Sequence, residues 1–222
     1  MMIGAINPGF SNNAEQYKRD TGHNVTTLND TAPGLTKRIA AGETADILIA
    51  PDNVIDEAAK QGKVVASTRT PIAKVGIGVT VHAGIPAPNV ATVEALKQAL
   101  LKADSVCYNQ GSSGIYIDKM LEQMGIAEQV KAKTVRFANA GQVVRHVMDA
   151  KNNEVGFAPL PEIFSNEANG LRSAGPLPAA VQNYTSYSAV VMTGANADVA
   201  KDFIRYLTAP AARKTFSAAG VD

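Results

Sequence analysis

Short apolar runs alternate with segments of helical period along almost the whole chain. Ala45–Ala50, Ser105–Tyr108, Thr134–Phe137 and Glu154–Ala158 are short, β-branched or apolar, and bounded by polar or glycine turns, as strands buried on both faces are. Asn24–Leu28 reads as a further short strand, and Lys74–Val81 and Thr185–Thr193 as longer ones. Amphipathic segments fill the intervals. They predict helices over Ser11–Asp20, from the Asn29–Pro33 turn to Gly42, over Asn53–Gln61, from a Thr92 cap to Ala103, and over Ser113–Met124, Gln142–Ala150, Asp198–Leu207 and Pro210–Ala219. Gly22, Gly42 and Gly62 follow three of these, where a left-handed residue closes a helix.

Strand–helix alternation of this kind predicts an α/β fold with largely parallel pairing. The two long β segments are extended enough to pass between lobes, and a nearly complete α/β unit lies between them. The expected organisation is therefore a discontinuous first lobe, residues 1–77 and 188–222, and a continuous second lobe, residues 78–187. A hinge is expected near residues 76–79 and 185–189, with a ligand cleft between the lobes.

Composition narrows the function without naming it. The 222 residues carry a net charge of +1, with no basic stretch, so nucleic acid is not an expected partner. No run is apolar and long enough to span a membrane. The one cysteine, Cys107, sits in an apolar run and reads as an inert core thiol. His23, His82 and His146 are scattered without metal-ligand spacing, so no metal is expected. Neither a phosphate-binding glycine loop nor a dinucleotide fingerprint occurs, and no cofactor is expected.

The recurring chemical feature is a strand, a short polar or glycine turn, then a helix. It occurs at Gly4-Ala5-Ile6, Thr31-Ala32-Pro33-Gly34, Ser112-Ser113-Gly114 and Asn139-Ala140-Gly141-Gln142. Each turn offers unpaired backbone N–H groups and a positive helix end, so converging turns hold an anion without charged side chains. Taken singly, each reads as a cap; four in one α/β chain point to a site. Other candidates are Arg69 and Lys74 for a carboxylate, Arg145 and His146 on the helix after Gly141, Tyr116 and Tyr187 as cleft-lining phenols, and Glu162. Each also has an ordinary reading, as solvated charge, core aromatic or first-turn carboxylate. No serine–histidine–aspartate constellation is visible.

The stretch Thr31–Ala50, with its Arg38-Ile39 … Gly42 … Ala45-Asp46 ending, together with Ser113-Gly114-Ile115-Tyr116, Val155-Gly156-Phe157 and the helix of Ala200, Phe203, Tyr206 and Leu207, resembles the molybdate-binding-like periplasmic proteins. The resemblance spans nearly the whole chain. It implies a two-lobed type 2 periplasmic-binding fold, each lobe a mixed sheet flanked by helices. It also implies a monomer that binds a small anion and delivers it to the membrane subunits of an ABC importer. Matched to the family's ligand turns are Ala5, Ile6, Thr31, Ala32, Ser112, Ser113, Gly114, Tyr116, Gly141, Gln142 and Pro159.

Two departures stand out against molybdate: Ala5 and Ala32 replace hydroxyl residues, and Pro159 stands where a tyrosine is usual. The Gly156-Phe157-Ala158-Pro159-Leu160-Pro161-Glu162 run, with Tyr108–Tyr116 and Ala83–Pro88, resembles a branch of the family that includes aconitate isomerase. An organic carboxylate is therefore expected over a metal oxyanion. The resemblance leaves two readings: a binding protein without catalysis, or an isomerase of an unsaturated polycarboxylate with Glu162, His146 or Tyr116 as base. The family begins with a full first strand behind a leader, whereas the first loop here arrives by Ala5. A start inside the gene and a periplasmic location are expected, or a cytoplasmic one if Met1 is the true start.

Overall fold

The structure is a computed structural model and describes residues 1–221, with the side chains of Pro8 and Ser112 outside the description. In chain order the elements are β1 (Met2–Ile3), α1 (Asn7–Thr21), β2 (Asn29–Asp30), α2 (Ala32–Ala40), β3 (Ile47–Pro51), α3 (Asp52–Lys60), β4 (Thr70–His82), α4 (Val93–Lys102), β5 (Ser105–Asn109) and α5 (Ser112–Gln123). There follow α6 (Ala127–Lys131), β6 (Thr134–Phe137), α7 (Ala140–Asp149), β7 (Glu154–Pro159), α8 (Leu160–Phe164), β8 (Leu171–Pro176), β9 (Tyr184–Val191), α9 (Ala197–Thr208) and α10 (Pro210–Ala218). The chain forms two compact units, Met1–Val75 with the chain from Thr185 onward, and Gly76–Tyr184.

In the first unit β1 pairs in parallel with β2 and β3, and β9 runs antiparallel to β3 from Ile47↔Val191 to Pro51↔Tyr187. Ile6, Leu35, Leu48, Ile55, Ala189 and Leu207 are buried together in its core. Phe10 meets Phe203 edge-on at 5.7 Å between ring centres, which joins α1 to α9.

In the second unit β5 lies between β6 and β7 and is parallel to both, while β4 runs antiparallel to β7 and β8. Alternation along β5 sends Val106 and Tyr108 to a core containing Leu96, Ile117 and Phe157. It sends Cys107 to the opposite face, with Val143, Val147 and Ile163. Both faces of the sheet are thus covered, as the uninterrupted apolar runs require.

The α/β architecture stands as expected, and the differences are local. Asn24–Leu28 is not a strand: Val25 and Leu28 pack partly against the core, and pairing begins only at Asn29. α1 begins at Asn7 because a short 3-10 turn, Gly4–Ile6, feeds straight into it. β8 was unanticipated: Arg172, Ser173, Gly175 and Pro176 spoil the apolar alternation. The strand is outermost beside β4, where proline is tolerated, and Gly175 takes φ 111° next to a register shift at Val79/Thr80.

Candidate functional site

Three helices of the second unit start at the carboxyl ends of adjacent parallel strands: α8 after β7, α5 after β5 and α7 after β6. The Gln110 N–H donates to the Phe137 carbonyl at 2.8 Å, extending the β5–β6 ladder to the point where both chains turn into helices. Open α/β sheets place ligands at such an edge.

The β5–α5 turn is organised by Asn109, a buried residue that the sequence reading passed over. Its Oδ1 accepts the Gly111 N–H at 2.7 Å, which fixes the amide's orientation. Its Nδ2 then donates to Ser113 Oγ at 2.8 Å. Ser113 does not cap the helix; the N-cap is Gly111, without a side-chain bond. With its oxygen already accepting, the Ser113 hydroxyl has its proton left to give. The N–H groups of Ser113 and Gly114 lie in the first turn, where no intrahelical acceptor exists. Gly114 serves the packing of helix on strand: a Cβ there would lie 1.7 Å from the Asn109 carbonyl oxygen. The Ser112 side chain lies outside the described residues.

At α7 the Asn139 side chain caps by accepting the Gln142 N–H at 3.0 Å, and Gln142 Oε1 accepts the Ala138 N–H at 3.0 Å. This reciprocal capping consumes the Gln142 backbone donor and leaves first-turn donors at Ala140 and Gly141. Glu162, in the first turn of α8, brings its carboxylate close: a Cβ on Gly141 would lie 3.3 Å from Glu162 Oε1. Burial raises the Glu162 carboxyl above its ordinary value, against a smaller opposing pull from Arg145. Pro159, the N-cap of α8, has no N–H and offers a ligand only its ring.

The helix starts of the first unit are more self-contained. Thr31 Oγ1 accepts the Gly34 N–H at 3.2 Å, Leu35 N–H is taken by the Thr31 carbonyl, and Pro33 has no donor. Ala32 therefore supplies the free first-turn N–H of α2. Asp30 accepts the Thr31 N–H at 2.8 Å and pairs with Arg38 at 2.7 Å. The Ile6 side chain is wholly buried and Ala5 is half-buried, so that turn presents backbone and no polar side chain.

Most of the remaining candidates are engaged. Arg69 bridges Asp52 at 2.7 Å and Asp56 at 2.6 Å, so its guanidinium is spent within the first unit. Lys74 is exposed. The Tyr116 hydroxyl donates to the Val181 carbonyl at 2.8 Å. Tyr187 is buried, which pushes its phenol up to about 12. His146 pairs with Glu154 at 2.6 Å and sits on Phe137. Cys107 is a buried thiol pushed up to about 11, first by desolvation. It also lies beside His146 and Glu154, a juxtaposition the scattered histidines did not announce. A cavity of about 490 Å³ in the first unit, lined by Phe10, Tyr17, His23 and Phe203 among others, lies away from these helix starts.

A two-faced α/β fold with anion-ready helix starts at strand carboxyl ends is the build of a solute-binding protein. The family described as bacterial extracellular solute-binding proteins matches residues 2–222, and the chain belongs to it. It is 27% identical over 217 residues to aconitate isomerase of a Pseudomonas species, covering 94% of this chain and 80% of that protein. It is 26% identical over 211 residues to the molybdate-binding protein ModA of Azotobacter vinelandii, covering 93% and 82%. The substrate-binding domain of a putative molybdenum ABC transporter from Clostridium difficile superposes with a TM-score of 0.80 at 17% identity, covering all of this chain and 96% of that one. The chain thus has the periplasmic-binding fold. Among the described residues no helix is long and apolar enough to cross a membrane.

Proposed function

We propose that this chain is a solute-binding component of an ABC-type importer that takes a small carboxylate anion. The observation that carries this reading is the pair of neighbouring helix starts, α5 and α7, with the Ser113 hydroxyl aligned by Asn109. Donors of this kind hold an anion in a desolvated site with little reorganisation. In the first unit Ala32, Ala5 and Ile6 would offer backbone contacts, with Thr31 beside them at the α2 turn, and in the second Tyr116, Gln142 and Pro159 would border the ligand.

Three features favour a carboxylate over molybdate. Ala5 and Ala32 bring no hydroxyl, and a buried tetrahedral oxyanion needs its oxygens supplied with donors. Pro159 has neither hydroxyl nor N–H. The Glu162 carboxylate beside Gly141 accepts a bond from a hydroxyl or acid proton on an organic ligand, which fully ionised molybdate does not carry.

The same glutamate supports a second reading, an isomerase of an unsaturated polycarboxylate. A half-buried carboxylate with a raised proton affinity, next to anion-stabilising donors, has the form of a general base that moves an allylic proton. The aconitate isomerase relative is consistent with it.

The discriminating experiment exposes the purified protein to cis- and trans-aconitate, citrate and molybdate and follows melting temperature and proton NMR together. Stabilisation by the organic acids without interconversion is the expected result. Interconversion of the two aconitates establishes the second reading. Stabilisation by molybdate alone overturns both.

A further inference from the structure

We propose that Cys107, His146 and Glu154 form a binding site for a zinc-like divalent cation in the second unit, separate from the helix starts. The three residues come from β5, α7 and β7. Cys107 Sγ lies 3.7 Å from Glu154 Oε2, His146 Nε2 lies 2.6 Å from the same oxygen, and the three ligand atoms are all within 4.8 Å of one another. Metal–ligand bonds of about 2.0–2.3 Å in a tetrahedral site put the ligand atoms roughly 3.3–3.7 Å apart. The sulfur–oxygen separation already meets that spacing, and the imidazole has to retreat by somewhat less than an ångström.

The framework is rigid. Ser105 pairs with Glu154 and Cys107 with Gly156 in the parallel β5–β7 ladder, so two ligands ride on adjacent strands in fixed register. The third stands on the last turn of α7, its ring held against Phe137 at 4.9 Å between centres. Ser105 Oγ lies 3.3 Å from the sulfur, close enough to donate to it once it is a thiolate. The His146 side chain is 37% exposed and that of Glu154 15%, which leaves an entry path and a fourth position for water.

The donor set, one sulfur, one imidazole nitrogen and one carboxylate oxygen, suits a borderline-soft d-block ion and not calcium or magnesium. On binding, the Cys107 S–H bond breaks and its proton passes to solvent as the metal–sulfur bond forms. Neutral His146 gives its Nε2 lone pair, and Glu154 binds as carboxylate. Thiolate and carboxylate together neutralise the dication, replacing a buried thiol that faces a carboxylate. Glu154 opens β7 at the end opposite Pro159, and Cys107 precedes Asn109 inside the strand, so the cluster lies away from the anion donors.

Cobalt(II) titration of the full, chelator-stripped and reduced chain tests the proposal. One equivalent should bind with a thiolate-to-cobalt charge-transfer absorption and tetrahedral-type visible bands, and zinc should displace it. Cys107→Ser should abolish the charge-transfer band and weaken zinc binding at least about tenfold. His146→Gln, at a partly exposed position, should weaken binding to a similar degree, and it serves if the cysteine variant fails to fold. Cobalt bound without the thiolate band, no saturable binding, or zinc affinity unchanged in either folded variant overturns the site.

Discussion

Asn109 shows how much a single buried amide can decide. It lies at the end of β5 with its oxygen tied to the Gly111 N–H and its nitrogen to Ser113 Oγ. Asn109→Asp keeps the acceptor, loses the donor and adds a charge facing the site. Anion affinity should fall at least about tenfold by calorimetry, while the fold, judged by its circular dichroism, survives the loss of a bond worth about 1 kcal/mol. Glu162 invites a complementary experiment. Its folded proton affinity is raised, so between the ordinary carboxylate range and the raised value the folded protein holds more protons than the unfolded chain. Stability from this group is therefore greatest at low pH and is lost as pH rises through the raised value. Glu162→Gln should flatten that part of the stability profile and, with the carboxylate gone, tighten binding of an organic dianion at neutral pH. A steeper profile in the variant would contradict the assignment. Neither residue's role is legible in the sequence alone. An Asn-x-Gly turn after a strand is a recognisable side-chain turn signal, but its link to Ser113 depends on the fold, and the approach of Glu162 to Gly141 depends on α8 meeting α7.

α5 is held by ordinary packing. Tyr108 donates to Asp118 at 2.7 Å, Arg136 reaches the same carboxylate at 2.8 and 2.9 Å, and its guanidinium sits 4.5 Å over the Tyr108 ring. These contacts tie α5 to β5 and β6. Burial and Asp118 together push the Tyr108 phenol up to about 12. Asp118→Ala leaves a hydroxyl and a guanidinium without their partner and should cost about 1–2 kcal/mol in urea unfolding. The exposed Lys131–Glu128 pair, removed in the same way, should change stability by no more than about 0.5 kcal/mol. Equal effects would mean that the Asp118 network does not position α5. At this scale the sequence read well where apolar runs are buried on both faces, as in β5 and β7. It read poorly at β8, whose polar and glycine residues suit an outermost strand, and at Asn24–Leu28, where Val25 and Leu28 pack partly against the core outside any strand.

For the molecule as a whole, the α/β fold was legible because strand and helix periods alternate from end to end, and family membership agrees with it. Ligand chemistry was legible only as a set of helix starts. The structure ranks them by which donors remain free: α5 most open, α7 half consumed by its own cap, and α2 largely satisfied by Thr31 and Asp30. This ranking makes the central claim testable at atomic detail. The most direct measurement is an amide-resolved NMR titration of the isotope-labelled chain with trans-aconitate. Saturable shifts centred on the N–H groups of Ser113, Gly114, Ala140 and Gly141 are predicted, weakened in parallel by Asn109→Asp. Saturable binding that leaves those amides unmoved would contradict the account.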